Sequence, residues 1–178
     1  MSRSSRVRAN GKLFTKANAA WERGDLRTAF QLFTTAAEAG DPSSQLDIGY
    51  FFDRGVYVKR DKVQALRWYH RAYRQGCSAA ANNIATVHRD RKEYGKMVWW
   101  FRKASSMGDH DAFLDLGKAY ENGVGVKRNT SRACDFYRRL LASKNVAEFS
   151  QEQAQKRLSK LDKRGMSGAL VGRKLKPS

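Results

Sequence analysis

The residue types able to do chemistry are scattered along this chain, not gathered. His88-Arg89-Asp90 has the order of a kinase catalytic loop, in which the aspartate takes the substrate hydroxyl proton. No glycine-rich phosphate loop, strand lysine or Asp-Phe-Gly accompanies it, and 178 residues are too few for that enzyme. Gly123-Val124-Gly125-Val126 resembles half of a nucleotide loop, but it follows a helical pattern where a strand is required and lacks the third glycine. His70, His88 and His110 stand at no metal-ligand spacing. Ser105 and Ser106 close a predicted helix without a base nearby, so they make no triad. Cys77 and Cys134 are far apart and belong to no CxxC, and they read as buried thiols of a reducing, cytoplasmic compartment. The sequence therefore predicts no catalytic residue, no metal and no cofactor.

The elements that carry these residues repeat. Ala29-Phe30-Gln31-Leu32-Phe33 leads through Ala36 to Gly40, and Ala65-Leu66-Arg67-Trp68-Tyr69 through Ala72 to Gly76. Met97-Val98-Trp99-Trp100-Phe101 leads through Ala104 to Gly108, and Ala133-Cys134-Asp135-Phe136-Tyr137 through Leu140 to Lys144. The ends fall 36, 32 and 36 residues apart. Upstream, Ile48-Gly49, Phe52 and the loop from Gly55 to Asp61 return 68 residues later as Leu116-Gly117, Tyr120 and the loop from Gly123 to Asn129. In the third unit Ile84, Ala85 and His88 hold the register, and four residues of the loop are missing. Large apolar residues at i and i+4 beside a glycine put one helix face against a close neighbour. Gly55 and Gly123 stop those helices, and Asp61 with Gln64 opens the next one. The pattern predicts helix pairs at 12–39, 42–75, 78–107 and 109–143, and a ninth helix at 147–162 with Leu158 and Leu161 on its apolar side. One pair cannot bury its own stripe, so the pairs must stack. The fold class is all-α, a right-handed α-solenoid of about four helix pairs with a C-terminal capping helix. The domain reading is a basic flexible end at 1–12, repeats at 13–144, the cap at 145–162 and a basic tail at 163–178.

Ala112, Leu116, Gly117, Tyr120, Gly123, Gly125 and Val126, with Ala65, Trp68, Tyr69, Ala72 and Gly76 of the second unit, resemble the Sel1-like, TPR-related repeat. The first unit, with Trp21-Glu22-Arg23-Gly24-Asp25, is similar to a plain TPR. The third unit departs by its missing loop and Ala85, and the fourth by Phe136 and Leu140. The resemblance implies a scaffold or adaptor that binds another protein, with a cognate immunity or regulatory protein as one concrete form. It also implies that the first helix of each pair lines the concave, protein-binding face. In register, the outward positions are Ser43, Leu46, Tyr50 and Asp53, then Ala79, Asn82, Thr86 and Arg89, then Asp111, Leu114, Lys118 and Glu121. Tyr50 and Leu46 are read either as apolar anchors or as residues packed on a neighbouring helix.

The formal charge of +18 favours an acidic partner: a protein surface, nucleic acid or anionic lipid. More than half of it sits in the two ends, where Arg3, Arg6, Arg8 and Lys12 meet no acid and the residues from Lys156 onward meet only Asp162. Arg71, Arg102, Lys103, Arg138 and Arg139 recur on the second helices and would align as an anion-binding stripe. The competing account is that their stems cover the aromatic residues beneath. Nucleic acid bound by this stripe and the basic ends is the alternative to a protein partner. No apolar run is long enough to span a membrane, and the oligomeric state is left open.

Overall fold

The structure is a computed structural model that describes the backbone over residues 3–144 and 146–173 and the side chains over 11–144 and 146–163. The side chains of most of the basic residues at the two ends lie outside the described residues. The chain divides into two compact units, Met1–Lys92 and Glu93–Ser178. The first contains α1 (Arg3–Glu22), α2 (Leu26–Glu38), α3 (Pro42–Arg54), α4 (Lys62–Arg74) and α5 (Ser78–Asp90). The second contains α6 (Tyr94–Ser106), α7 (Ala112–Asn122), α8 (Thr130–Ala142) and α9 (Glu148–Arg173). The pair expected at 78–107 is thus shared between the units, and the boundary falls at its short connection. Both terminal helices run further than the sequence pattern required: α1 already begins at Arg3, and α9 continues to Arg173.

Local chemistry sets the helix ends. Asp25 accepts from the Thr28 amide (3.1 Å), Asp41 from Ser44 (2.7 Å), Asp61 from Val63 and Gln64 (2.8 and 3.0 Å), and Asn129 from Arg132 (2.9 Å). Each side chain thereby satisfies an amide that the first helical turn leaves without a partner. Gly55 and Gly123 both end their helices at φ 72°, a left-handed conformation that glycine adopts without strain. Past each of them an arginine turns back onto the helix it follows. Arg60 Nε donates to the Asp53 carbonyl (3.0 Å), and Arg128 Nε to the Glu121 carbonyl (3.1 Å), a cation at the negative end of each helix.

Packing within each unit follows the repeat. In the first, Ala17, Ala20, Ala29, Phe33, Ala37, Ile48 and Phe51 form a buried cluster whose alanines let the helices approach. Tyr69 is fully buried and lies against Gly49, where a Cβ would overlap its ring. In the second unit Tyr137 lies against Gly117 in the same way. Phe101, Leu116, Tyr137 and Leu140 are fully buried there, and Ala154 and Leu161 of α9 close the end of that core. His88 is buried at the aromatic position the register assigned to it. Both cysteines are free; Cys134 is buried and Cys77 half-buried.

Candidate functional site

Helices α1, α2 and α3 enclose a cavity of about 250 Å³ in the first unit, lined by Asn18, Trp21, Phe33, Asp47, Tyr50 and Phe51. Phe33 and Phe51 are buried. The Trp21 ring stands nearly perpendicular to Phe51 (centroids 5.1 Å, 83°) and to Tyr50 (6.1 Å, 69°), and Tyr50 is 40% exposed. Such edge-on arrangements are favourable for the rings. Asn18 donates from Nδ2 to the Phe14 carbonyl (3.0 Å), which leaves Oδ1 as its acceptor. Burial, with a smaller contribution from the Asp41 carboxylate, pushes the Asp47 carboxyl up to about 6.

The sequence-derived concave positions are not equivalent in the structure. Ser43, Tyr50 and Arg89 are exposed; Leu46, Ala79, Asn82, Thr86, Asp111, Lys118 and Glu121 are half-buried. Asp53 and Leu114 do not lie on a surface, being only 2% and 5% exposed. Asp53 is drawn inward by an ion pair with Lys62, whose ammonium also meets Asp90 (2.6 Å). Leu114 belongs to a run of buried α7 residues that includes Phe113 and Leu116. Lys118 is spanned by Asp115 one turn away (3.9 Å). Glu121 accepts from the Tyr137 hydroxyl (2.7 Å) and from Arg157 of α9 (2.9 Å). Burial raises that carboxyl, but these two hydrogen bonds outweigh it and hold it below its ordinary value.

The basic residues of the second helices are engaged with aromatic rings and carboxylates. Arg71 stacks over Trp68 (4.6 Å), Lys103 over Trp99 (5.2 Å) and Arg139 over Phe113 (4.5 Å). Arg102 donates to the Tyr120 hydroxyl, and Arg138 pairs with Asp135 and Asp162 (both 3.7 Å). Arg71, Lys103 and Arg139 thus hold their charged heads over the rings. On α4 the residues Gln64, Arg67, Trp68, His70, Arg71 and Arg74 also line an open groove of about 470 Å³.

The cavity residues Asn18, Trp21 and Asp47 were missed by sequence reasoning. A signal was present: Asp47 precedes Tyr50 by three positions, hence on one helix face. What pairs that face with Trp21 is the packing of α1 beside α3, which no spacing reveals. Among the described residues no three His, Cys, Asp or Glu gather into a group able to hold a metal ion. No described helix is long and apolar enough to cross a membrane.

Comparison with known proteins covers α3 with α4 and α7 with α8 as pairs, and α2 and most of α6 without the helices before them. The Sel1 repeat family model matches residues 22–41, 42–77, 98–109 and 111–143, more than half of the chain. A solved Sel1 repeat protein from Oxalobacter formigenes superposes with a TM-score of 0.62 at 27% identity, covering 74% of this chain and 54% of that one. The ERAD-associated E3 ubiquitin-protein ligase component HRD3 of Candida glabrata is 25% identical over 135 residues, 71% of this chain. Chitin synthase regulatory factor 3 of Schizosaccharomyces pombe is 27% identical over 159 residues, 84% of this chain. This chain spans only 16% of the length of either. With the family model matched over more than half of the chain, in stretches that contain both glycine stops and both buried tyrosines, the chain belongs to the Sel1 repeat family.

Proposed function

We propose that this protein is a non-catalytic protein-binding scaffold or adaptor, engaging its partner through the first helices of its repeats. The observation that carries the reading is the Tyr50 surface. A large aromatic side chain is 40% exposed beside a largely aromatic cavity, with Ser43 exposed and Leu46 half-exposed along the same helix. Aromatic residues at the edge of a desolvated pocket are what protein interfaces use as anchors. Two of the charged positions in the same register are instead engaged within the repeats: Asp53 with Lys62, and Glu121 with Tyr137 and Arg157. The names of the relatives point the same way, one being a component of a ligase and the other a regulatory factor of a synthase. The net charge of +18 favours a partner with an acidic surface. A cognate immunity or regulatory protein working in the cytoplasm is the concrete form we assign to it.

The open groove on α4 favours a second reading, in which Arg67, Arg71 and Arg74 hold a polyanion such as nucleic acid. A tagged pulldown from native lysate at moderate salt, with nuclease added, separates the two. One stoichiometric protein that is lost on combining Tyr50→Ala with Lys118→Glu is the expected result. Recovery of nuclease-sensitive material alone would sink the scaffold and make α4 the working site.

A further inference from the structure

The cavity between α1, α2 and α3 has a sign as well as a shape. The carboxylate of Asp47 lines it, and among the described residues no hydrogen-bond donor or cation reaches that carboxylate. Desolvation already disfavours its charge, and Asp41 adds a second negative group nearby. Arg54 lies 6.0 Å from the Tyr50 ring centroid, but its guanidinium pairs with Asp53 (3.5 Å). The rest of the lining is aromatic apart from Asn18: Tyr50 is exposed, Trp21 half-buried, and Phe33 and Phe51 buried.

A guest of each charge type meets a different balance here. A neutral apolar group would fill the aromatic walls but leave the Asp47 carboxylate further desolvated and unpaired, which is costly. An acidic group would add like-charge repulsion. An alkylammonium or guanidinium satisfies the carboxylate and lays an apolar stem among the aromatic residues of the lining. On the scaffold reading above, we propose that this cavity receives a basic side chain, lysine or arginine, from the bound protein. A partner with an acidic surface can still present one such side chain, since net charge governs encounter whereas the cavity reads a single group.

The test uses an amino-acid probe, so that it is independent of any partner. The full-length protein is titrated with N-acetyl-lysine methylamide and, separately, with the same compound acetylated at Nε, and followed by NMR at the Asn18 side-chain amide and the Trp21 indole. The charged probe is expected to give saturable shifts, and the neutral one to bind about tenfold more weakly. Asp47→Asn, which preserves the size of the side chain, and Tyr50→Leu are each expected to weaken the charged probe by a similar factor, with shifts elsewhere in the spectrum unchanged. Equal binding of the two probes, undiminished binding by Asp47→Asn, or no shift at Asn18 and Trp21 at the highest soluble concentration would each overturn the proposal. A stoichiometric partner recovered by pulldown alongside such a failure would leave the scaffold standing without this cavity.

Discussion

Tyr69 and Tyr137 stand in the same place in two repeats, each fully buried against a helix glycine, and their hydroxyls meet different fates. The Tyr137 hydroxyl donates to Glu121, whereas Asp53, one methylene shorter at the matching position, turns to Lys62 and leaves the Tyr69 hydroxyl without a partner among the described residues. Tyr137→Phe should cost about 1–2 kcal/mol, because the Glu121 carboxylate loses a donor in a poorly solvated place. Tyr69→Phe should change stability by less than about 0.5 kcal/mol or raise it, since it deletes a hydroxyl that gains nothing. Urea denaturation of the two variants side by side checks both. Asp47 gives a pH signature. Its folded pKa of about 6 lies above the ordinary 3.8, so the protonated form favours folding and that contribution is complete below 3.8. It is lost as pH rises through about 6, leaving an ionised carboxylate in the cavity at neutral pH. Asp47→Asn should therefore raise stability at pH 7 by about 1–2 kcal/mol and flatten its fall between pH 4 and 7. A melting-temperature series that falls equally steeply in both proteins would count against it.

At the level of the helix, two glycines of α7 and α6 look alike in sequence and differ in surroundings. A Cβ at Gly117 would overlap the Tyr137 ring, which is pinned by its bond to Glu121 and cannot withdraw. Gly117→Ala should cost about 2 kcal/mol through that overlap, despite the better helix propensity of alanine. Gly95 meets nothing within 4 Å, so Gly95→Ala should stabilise by up to about 1 kcal/mol. Opposite signs for the pair, read as midpoints of chemical denaturation, distinguish packing from propensity. The caps behave more simply. Asn129→Ala removes the acceptor for the Arg132 amide and should cost about 1 kcal/mol, seen as faster amide exchange in the first turn of α8.

On the scale of the whole molecule, the proposed acidic partner implies that the charge of +18 should act on encounter more than on the bound state. Raising salt from 50 to 300 mM should slow association of the recovered partner by about tenfold while leaving its dissociation nearly unchanged. Surface plasmon resonance at the two ionic strengths gives both rates, and a dissociation rate that carries the salt effect would place the charge in the contact itself.

The repeat was legible in the residues alone, because it rests on interactions close in sequence. The Gly55 and Gly123 stops, the Asp61 and Asn129 caps and the i, i+4 stripes that bury Tyr69 and Phe101 each involve a few neighbouring positions. Periodicity then placed all of them in one register. The candidate binding surface was legible only in part. Tyr50 emerged as exposed, but Asp53 and Leu114 were assigned outward by the same register and are buried. Register fixes which way a position faces on its own helix; it does not say what the next helix brings to it. Lys62 reaching Asp53, Arg157 of α9 reaching Glu121, and Trp21 of α1 meeting Tyr50 and the Asp47 cavity are all contacts between helices. Those the tertiary structure alone decided, since side-chain length and helix approach select a partner only after the helices have packed.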